Sequence, residues 1–204
     1  MEAQYFNEEI ICYKKKFQPK FSKNELTDKI YEIINEQTLV DNDGYLITKK
    51  YKEYFFDIVD MGKKLCFDLM NDPNLKFSDI LVETWINRVR KISAIQPGLQ
   101  KFDIENPIYH DHVSLNKNKG FFIPNYTFVY YIQMQNNLKG YDGHLFMKNK
   151  NGDRYSILPE ENDFIIMEGS IPHTPIPAFN STKDRLVLAG NVGINNNKKE
   201  KTLF

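Results

Sequence analysis

The hydrophobic rhythm of this chain changes at Asn71-Asp72-Pro73, and that change confines it to folds in which helices come first and strands follow. Ahead of the break, Ser22-Lys23-Asn24-Glu25 sets a serine and a glutamate at capping-box spacing before Leu26, Ile30, Ile33 and Ile34. This predicts a short amphipathic helix ending near Gln37. Asp41-Asn42-Asp43-Gly44 reads as a turn, and Thr48 can cap a second helix carrying Tyr51, Phe55, Ile58, Leu65 and Leu69. That helix should stop before Asn71-Asp72-Pro73, because a residue preceding proline is pushed out of the helical region. The first 75 residues therefore read as helical.

Beyond the break the pattern becomes alternating. Ile80, Val82, Thr84 and Ile86 share one parity and Trp85 takes the other, in a strand continuing to about Ile92. Further strands are expected at 126–134, 145–148, 163–167 and 186–192, separated by Gly, Pro, Asn and Asp. The expected class is α+β in a single domain: residues 1–75 helical, 76–194 a β core against which the helices pack, and 195–204 a flexible tail with no apolar face to bury.

Composition excludes several function classes. At 41% hydrophobic and 26% charged, 204 residues suffice for a core, and a disordered chain is excluded. Lys plus Arg equals Asp plus Glu at 27 each, so no long-range field draws the molecule onto nucleic acid or an acidic membrane. The runs Lys14-Lys15-Lys16 and Lys198-Lys199-Glu200-Lys201 read as solvated surface. Cys12 and Cys66 belong to no C-x-x-C pair and read as reduced structural thiols. No basic region precedes an apolar core at the N-terminus, and no apolar stretch approaches about 18 residues. A cytoplasmic protein is expected, and the abundance of Lys, Asn and Ile fits an AT-rich genome such as that of a virus.

All four histidines lie between positions 110 and 173. Residues two apart on an extended strand share a face, so His110 and His112 can present both imidazoles to one ion while Asp111 turns away. His173, between Pro172 and Thr174-Pro175, sits in a stiff segment and can close a three-point set, for which iron(II) is a natural occupant. Two alternatives stay open: Asp111 serves with His110 and His173 in place of His112, or the histidines are ordinary surface and core residues. His144, after Asp142-Gly143, reads as a turn-edge residue flanking the site. Arg185 follows His173 by twelve positions and offers a guanidinium fork to a planar carboxylate.

In order, these parts are a strand with Trp85, the histidine pair, Tyr126-Thr127-Phe128-Val129-Tyr130-Tyr131-Ile132, Gly143-x-Leu145-Phe146, Ile171-Pro172-His173 and Arg185-x-Val187-x-Ala189-x-Asn191. From Trp85 to Gly193 the chain thereby resembles the double-stranded β-helix (jelly-roll) core of iron(II)- and 2-oxoglutarate-dependent oxygenases. Those enzymes usually carry H-x-D or H-x-E where His112 stands; phage and bacterial members with H-x-H are the nearest in pattern. The resemblance implies iron(II) on His110, His112 and His173, and 2-oxoglutarate as co-substrate with its distal carboxylate on Arg185. Strand parity puts Asn191 on the face of Arg185 and turns one of the adjacent Tyr130 and Tyr131, expected to be Tyr131, into the same pocket. The reaction implied is hydroxylation of an unidentified small molecule or protein side chain, with segments 97–109 and 116–125 as candidates for carrying specificity. Two rival readings are a three-histidine dioxygenase of cupin type that needs no keto acid, and a non-catalytic jelly-roll binding module.

Overall fold

A computed structural model of the chain describes residues 1–6, 9–37, 44–90, 107–113 and 123–194. The elements, in chain order, are β1 (Glu2–Phe6), β2 (Glu9–Lys16), α1 (Lys23–Glu36), β3 (Tyr45–Leu46), α2 (Lys52–Met70), β4 (Ile80–Val89), β5 (Tyr126–Gln133), β6 (Leu145–Lys148), β7 (Arg154–Ile157), β8 (Asp163–Glu168), β9 (His173–Pro175) and β10 (Arg185–Ile194). Seven strands form one sheet in the order β1-β2-β8-β5-β10-β4-β3, and three form another in the order β7-β6-β9. This is the mixed helix-and-strand class expected.

Helix α1 begins where its capping box places it. The Ser22 hydroxyl accepts from the Glu25 N–H at 3.3 Å, and the Glu25 carboxylate accepts from the Ser22 N–H at 2.8 Å. It ends at Gln37, and Leu26, Ile30 and Ile33 are its buried face. Helix α2 departs from expectation at its start and ends where expected, before Asn71-Asp72-Pro73. Thr48 makes no capping bond and precedes a single 3-10 turn, Lys49–Tyr51. The exit is at Asn71, whose left-handed backbone (φ 46°) breaks the helix two residues before Pro73 can act.

The helical reading of residues 1–75 is corrected at the N-terminus. Glu2–Phe6 and Glu9–Lys16 form β1 and β2, and β2 pairs with β8 from Tyr13↔Ile166 to Lys16↔Asp163. The reason lies in the lysine run: Lys14 and Lys16 each place Nζ 3.0 Å from the fully buried Asp163 carboxylate. With Lys15 between them, the period-two signal of a strand is invisible in residue type. Two of the three lysines are thus ion-pair partners of a buried acid rather than idle surface.

Parity divides the seven-stranded sheet. Ile86, Phe128, Tyr130, Ile132, Leu186 and Leu188 face α1 and α2 in one apolar cluster. Val129, Tyr131, Ile165, Met167 and Val187 face the other way, against Leu145 and Met147 of the small sheet. The result is three layers, helices, large sheet, small sheet. Phe128 sets how closely the first two approach: a Cβ built on Gly62 of α2 would stand 2.7 Å from its ring and one on Gly190 of β10 2.5 Å, so both positions need glycine. Among the described residues no helix is long and apolar enough to cross a membrane.

Candidate metal centre

Strand β9 carries His173, and an isolated antiparallel bridge brings His110 beside it. The two residues exchange both backbone bonds, His110 N–H to His173 O at 3.1 Å and His173 N–H to His110 O at 2.9 Å. Directly opposed residues of such a pair project to one side of the sheet. Their ring centroids lie 4.5 Å apart.

His112 arrives by a different route from the one expected. Residues 110–112 do not form an extended strand; after the bridge the chain turns, and His112 and Val113 have helical backbone. Both of their N–H groups donate to the Gly169 carbonyl, at 3.0 and 3.3 Å. Gly169 in turn lies so close to Pro124 that a Cβ there would stand 2.5 Å from the Pro124 carbonyl oxygen. That anchor was missed from sequence, where a Glu168-Gly169-Ser170 triplet signals only a turn. His112 Nε2 ends 3.3 Å from His173 Nε2, and one ligand atom from each of His110, His112 and His173 lies within 4.8 Å of the others.

Electrostatics suit this group to a cation. Burial, reinforced by the neighbouring imidazoles, pushes the pKa of His112 down to about 3. Burial likewise pushes His173 down to about 4. Both rings are therefore neutral at physiological pH. His173 Nδ1 donates to Ile171 O at 2.9 Å, a bond that selects the tautomer leaving the Nε2 lone pair aimed at the cluster. Three imidazoles converging on one point, those of His112 and His173 held neutral by burial, offer a nitrogen donor set that fits a divalent transition metal. Asp111 is not part of the converging group. His144 also stays out of it, at the turn before β6, with Nδ1 buried and unpartnered and its ring against Tyr141.

Arg185 enters the interior and is 1% exposed. Its Nη1 donates to Gly143 O at 3.1 Å and Ile176 O at 3.3 Å, so the guanidinium reaches across to the ends of β6 and β9. Its Nη2 is buried with no hydrogen-bond partner. Of the two adjacent tyrosines, Tyr131 faces this interior. Tyr130 faces the helices, where its hydroxyl donates to Asn162 Oδ1 at 2.8 Å. Burial holds the Tyr131 phenol above its ordinary pKa, with the Arg185 charge opposing, so it remains a hydrogen-bond donor. Asn191 has the expected parity but is not brought to the guanidinium. Six residues of strand, roughly 20 Å, separate them, and its Oδ1 accepts from Thr127 Oγ1 at 3.0 Å.

No protein-family model matches the sequence, and a search of curated proteins returns no match. Solved structures do match. A prolyl-4-hydroxylase from Pseudomonas putida superposes with a TM-score of 0.62 at 14% identity, over 91% of this chain and 93% of that one. HygX from Streptomyces hygroscopicus, with nickel and 2-oxoglutarate bound, gives 0.54 at 10% identity over 90% and 83%. The viral collagen prolyl hydroxylase of Paramecium bursaria Chlorella virus-1, as its 2-oxoglutarate complex, gives 0.53 at 11% identity over 88% and 94%. The fold is shared with the prolyl hydroxylases. At such identities only the fold is established, and the chemistry has to be argued from this chain's own residues.

Proposed function

We propose that the protein is an iron(II)- and 2-oxoglutarate-dependent oxygenase that hydroxylates a C–H bond of a small molecule or protein side chain, its two facing sheets being the walls of a double-stranded β-helix. The observation that carries this reading is the coexistence, in one layer, of three converging imidazoles and a buried guanidinium with an unsatisfied Nη2. The donor set fits a divalent metal, and the orphaned N–H fits an anion: a buried donor left unpaired is destabilising until a ligand supplies its acceptor.

His110, His112 and His173 would hold the metal, Arg185 Nη2 the distal carboxylate, and the Tyr131 hydroxyl a further oxygen of the keto acid. When bound, iron and keto acid supply the oxidising power: one keto acid and one dioxygen are consumed, carbon dioxide and succinate are released, and a hydroxyl is left on the substrate. The chain contributes position and dryness. Met147, Met167, Leu145 and Val187 wall the interior and exclude water, which strengthens each ion pair formed there. A third imidazole in place of a carboxylate makes the metal site one charge more positive, which favours a dianionic co-substrate.

The three-histidine set keeps one rival alive, a dioxygenase that needs no keto acid. Anaerobic titration with iron(II), followed by 2-oxoglutarate, separates the two. The proposal expects one equivalent of metal, then saturable keto-acid binding and succinate release on admitting oxygen, with Arg185→Ala abolishing the succinate. Metal binding without any response to 2-oxoglutarate would transfer support to the rival, and absence of metal binding would sink both.

A further inference from the structure

The face of the large sheet turned towards the imidazoles is a grid of known register. Trp85 on β4 lies beside Ala189 on β10, and Ala189 beside Val129 on β5; one row along, Asn87 lies beside Val187 and Val187 beside Tyr131; in the next, Val89 lies beside Arg185. The Trp85 indole packs 5.6 Å from the His112 ring, which ties the first row to the imidazole cluster. The third row holds the guanidinium. A molecule touching both the cluster and Arg185 must therefore cross the middle row, where Val187 is the floor and Tyr131 and Asn87 are the side rails. The span is short. His173 and Ile176, whose carbonyl holds Arg185 Nη1, are three residues apart, about 10 Å of extended chain. A five-carbon diacid, bonded at both ends, fills it.

Asn87 has a second mark of a binding group: its Oδ1 is buried without a hydrogen-bond partner. The carboxamide can turn by 180° about its terminal bond without changing its outline, and so offers Nδ2–H in place of Oδ1. An acid crossing the middle row gives that donor its acceptor and ends the deficit.

We infer that Asn87 is a co-substrate-binding residue, its carboxamide donating through Nδ2 to the keto acid on the side opposite Tyr131. This rests on the 2-oxoglutarate reading of the site. A neutral amide adds a hydrogen bond there without adding charge beside Arg185. It also explains a polar side chain set between Trp85 and Val89 on that face of β4.

The test is calorimetric titration of 2-oxoglutarate into the cobalt(II)-loaded full-length protein, with cobalt affinity and thermal midpoint measured for each variant. Asn87→Ala should weaken 2-oxoglutarate binding by about 10-fold. Asn87→Asp, the same size but anionic, should weaken it by about 100-fold. Both should keep the wild-type cobalt affinity. A merely structural role would move the thermal midpoint and cobalt affinity together and would not rank Asp below Ala. Wild-type 2-oxoglutarate affinity in Asn87→Ala overturns this inference alone; a wild-type protein that takes cobalt but no 2-oxoglutarate overturns the function beneath it.

Discussion

The two faces of the seven-stranded sheet are built from alternate residues of the same strands, yet they solve different problems. Towards the helices, β4, β5 and β10 present Ile86, Phe128, Ile132, Leu186 and Leu188, and the Tyr130 hydroxyl beside them has its partner; the unpartnered hydroxyl of this cluster, on Tyr51, belongs to the turn before α2 and not to the sheet. Towards the small sheet the same strands present Asn87, Tyr131 and Arg185 around Val187, and two polar atoms there are left without partners. Within the sheet, buried polar atoms without partners cost stability until a ligand meets them. On the proposed function, one parity serves stability and the other ligand binding, and that division can be attacked from both sides.

The largest effect should come from emptying the helix face. Phe128→Ala removes the ring that α2 and β10 close upon and should destabilise the protein by about 3–5 kcal/mol. Urea denaturation measures it. In buffer without urea, the fraction still folded should bind metal with unchanged affinity; a loss there would show that the faces are not separable.

Acid should act on the opposite face alone. His112 and His173 resist protonation down to about 3 and about 4, whereas the unfolded chain takes up those protons near 6.5. The folded-state pKa values are depressed, so their contribution is intact above about pH 6.5 and is lost as pH falls towards 4. At pH 5 it should have shrunk by about 2 kcal/mol for each ring in metal-free protein. Urea midpoints at pH 7 and pH 5 should therefore differ much less in a His112→Gln/His173→Gln double variant than in the wild type.

Arg185→Met sharpens the contrast further. It replaces a buried cation, half of whose terminal donors lack acceptors, with an apolar chain of similar volume. Such exchanges are often neutral or stabilising. The thermal midpoint should stay near that of the wild type while 2-oxoglutarate affinity falls by about 100-fold, as expected when a buried charge pair loses one member. A large drop in stability would mean that Arg185 serves chiefly to tie Gly143 and Ile176 together.

Much of this division is legible in the sequence. The ends of α1 follow from Ser22, Glu25 and the apolar spacing, the bounds of β6 from Leu145 to Lys148, and the shared parity of Arg185 and Val187 from strand alternation. What is hidden has physical causes. Strand β2 is masked because lysine occupies three consecutive positions, and β9 because three residues ending in proline carry no period. His112 reaches the cluster through a turn pinned on Gly169, a long-range contact no local pattern encodes. Asn191 has the right parity and the wrong level, since alternation reports which face a residue takes and nothing about distance along the strand. The candidate specificity segments 97–109 and 116–125 fall mostly outside the described residues, and the tail 195–204 falls wholly outside them.

The smallest effects offer the most even comparison, because one methyl group can be added to each face. In Gly62→Ala the new Cβ meets the Phe128 ring at 2.7 Å, and in Gly169→Ala it meets the Pro124 carbonyl oxygen at 2.5 Å. Either insertion forces a shift worth about 1–3 kcal/mol of stability. The consequences should nevertheless part. Relief at Gly62 moves α2 outwards over an apolar surface and leaves the imidazoles where they are. Relief at Gly169 moves the carbonyl that receives both His112 N–H and Val113 N–H, so it carries His112 away from His173. Metal affinity should then fall by about 10-fold in Gly169→Ala, the scale seen when the support of a ligand is disturbed, and should not change in Gly62→Ala. Equal affinities in the two variants would mean that His112 is held by something other than Gly169, and the turn would lose its place in the account of how the cluster forms.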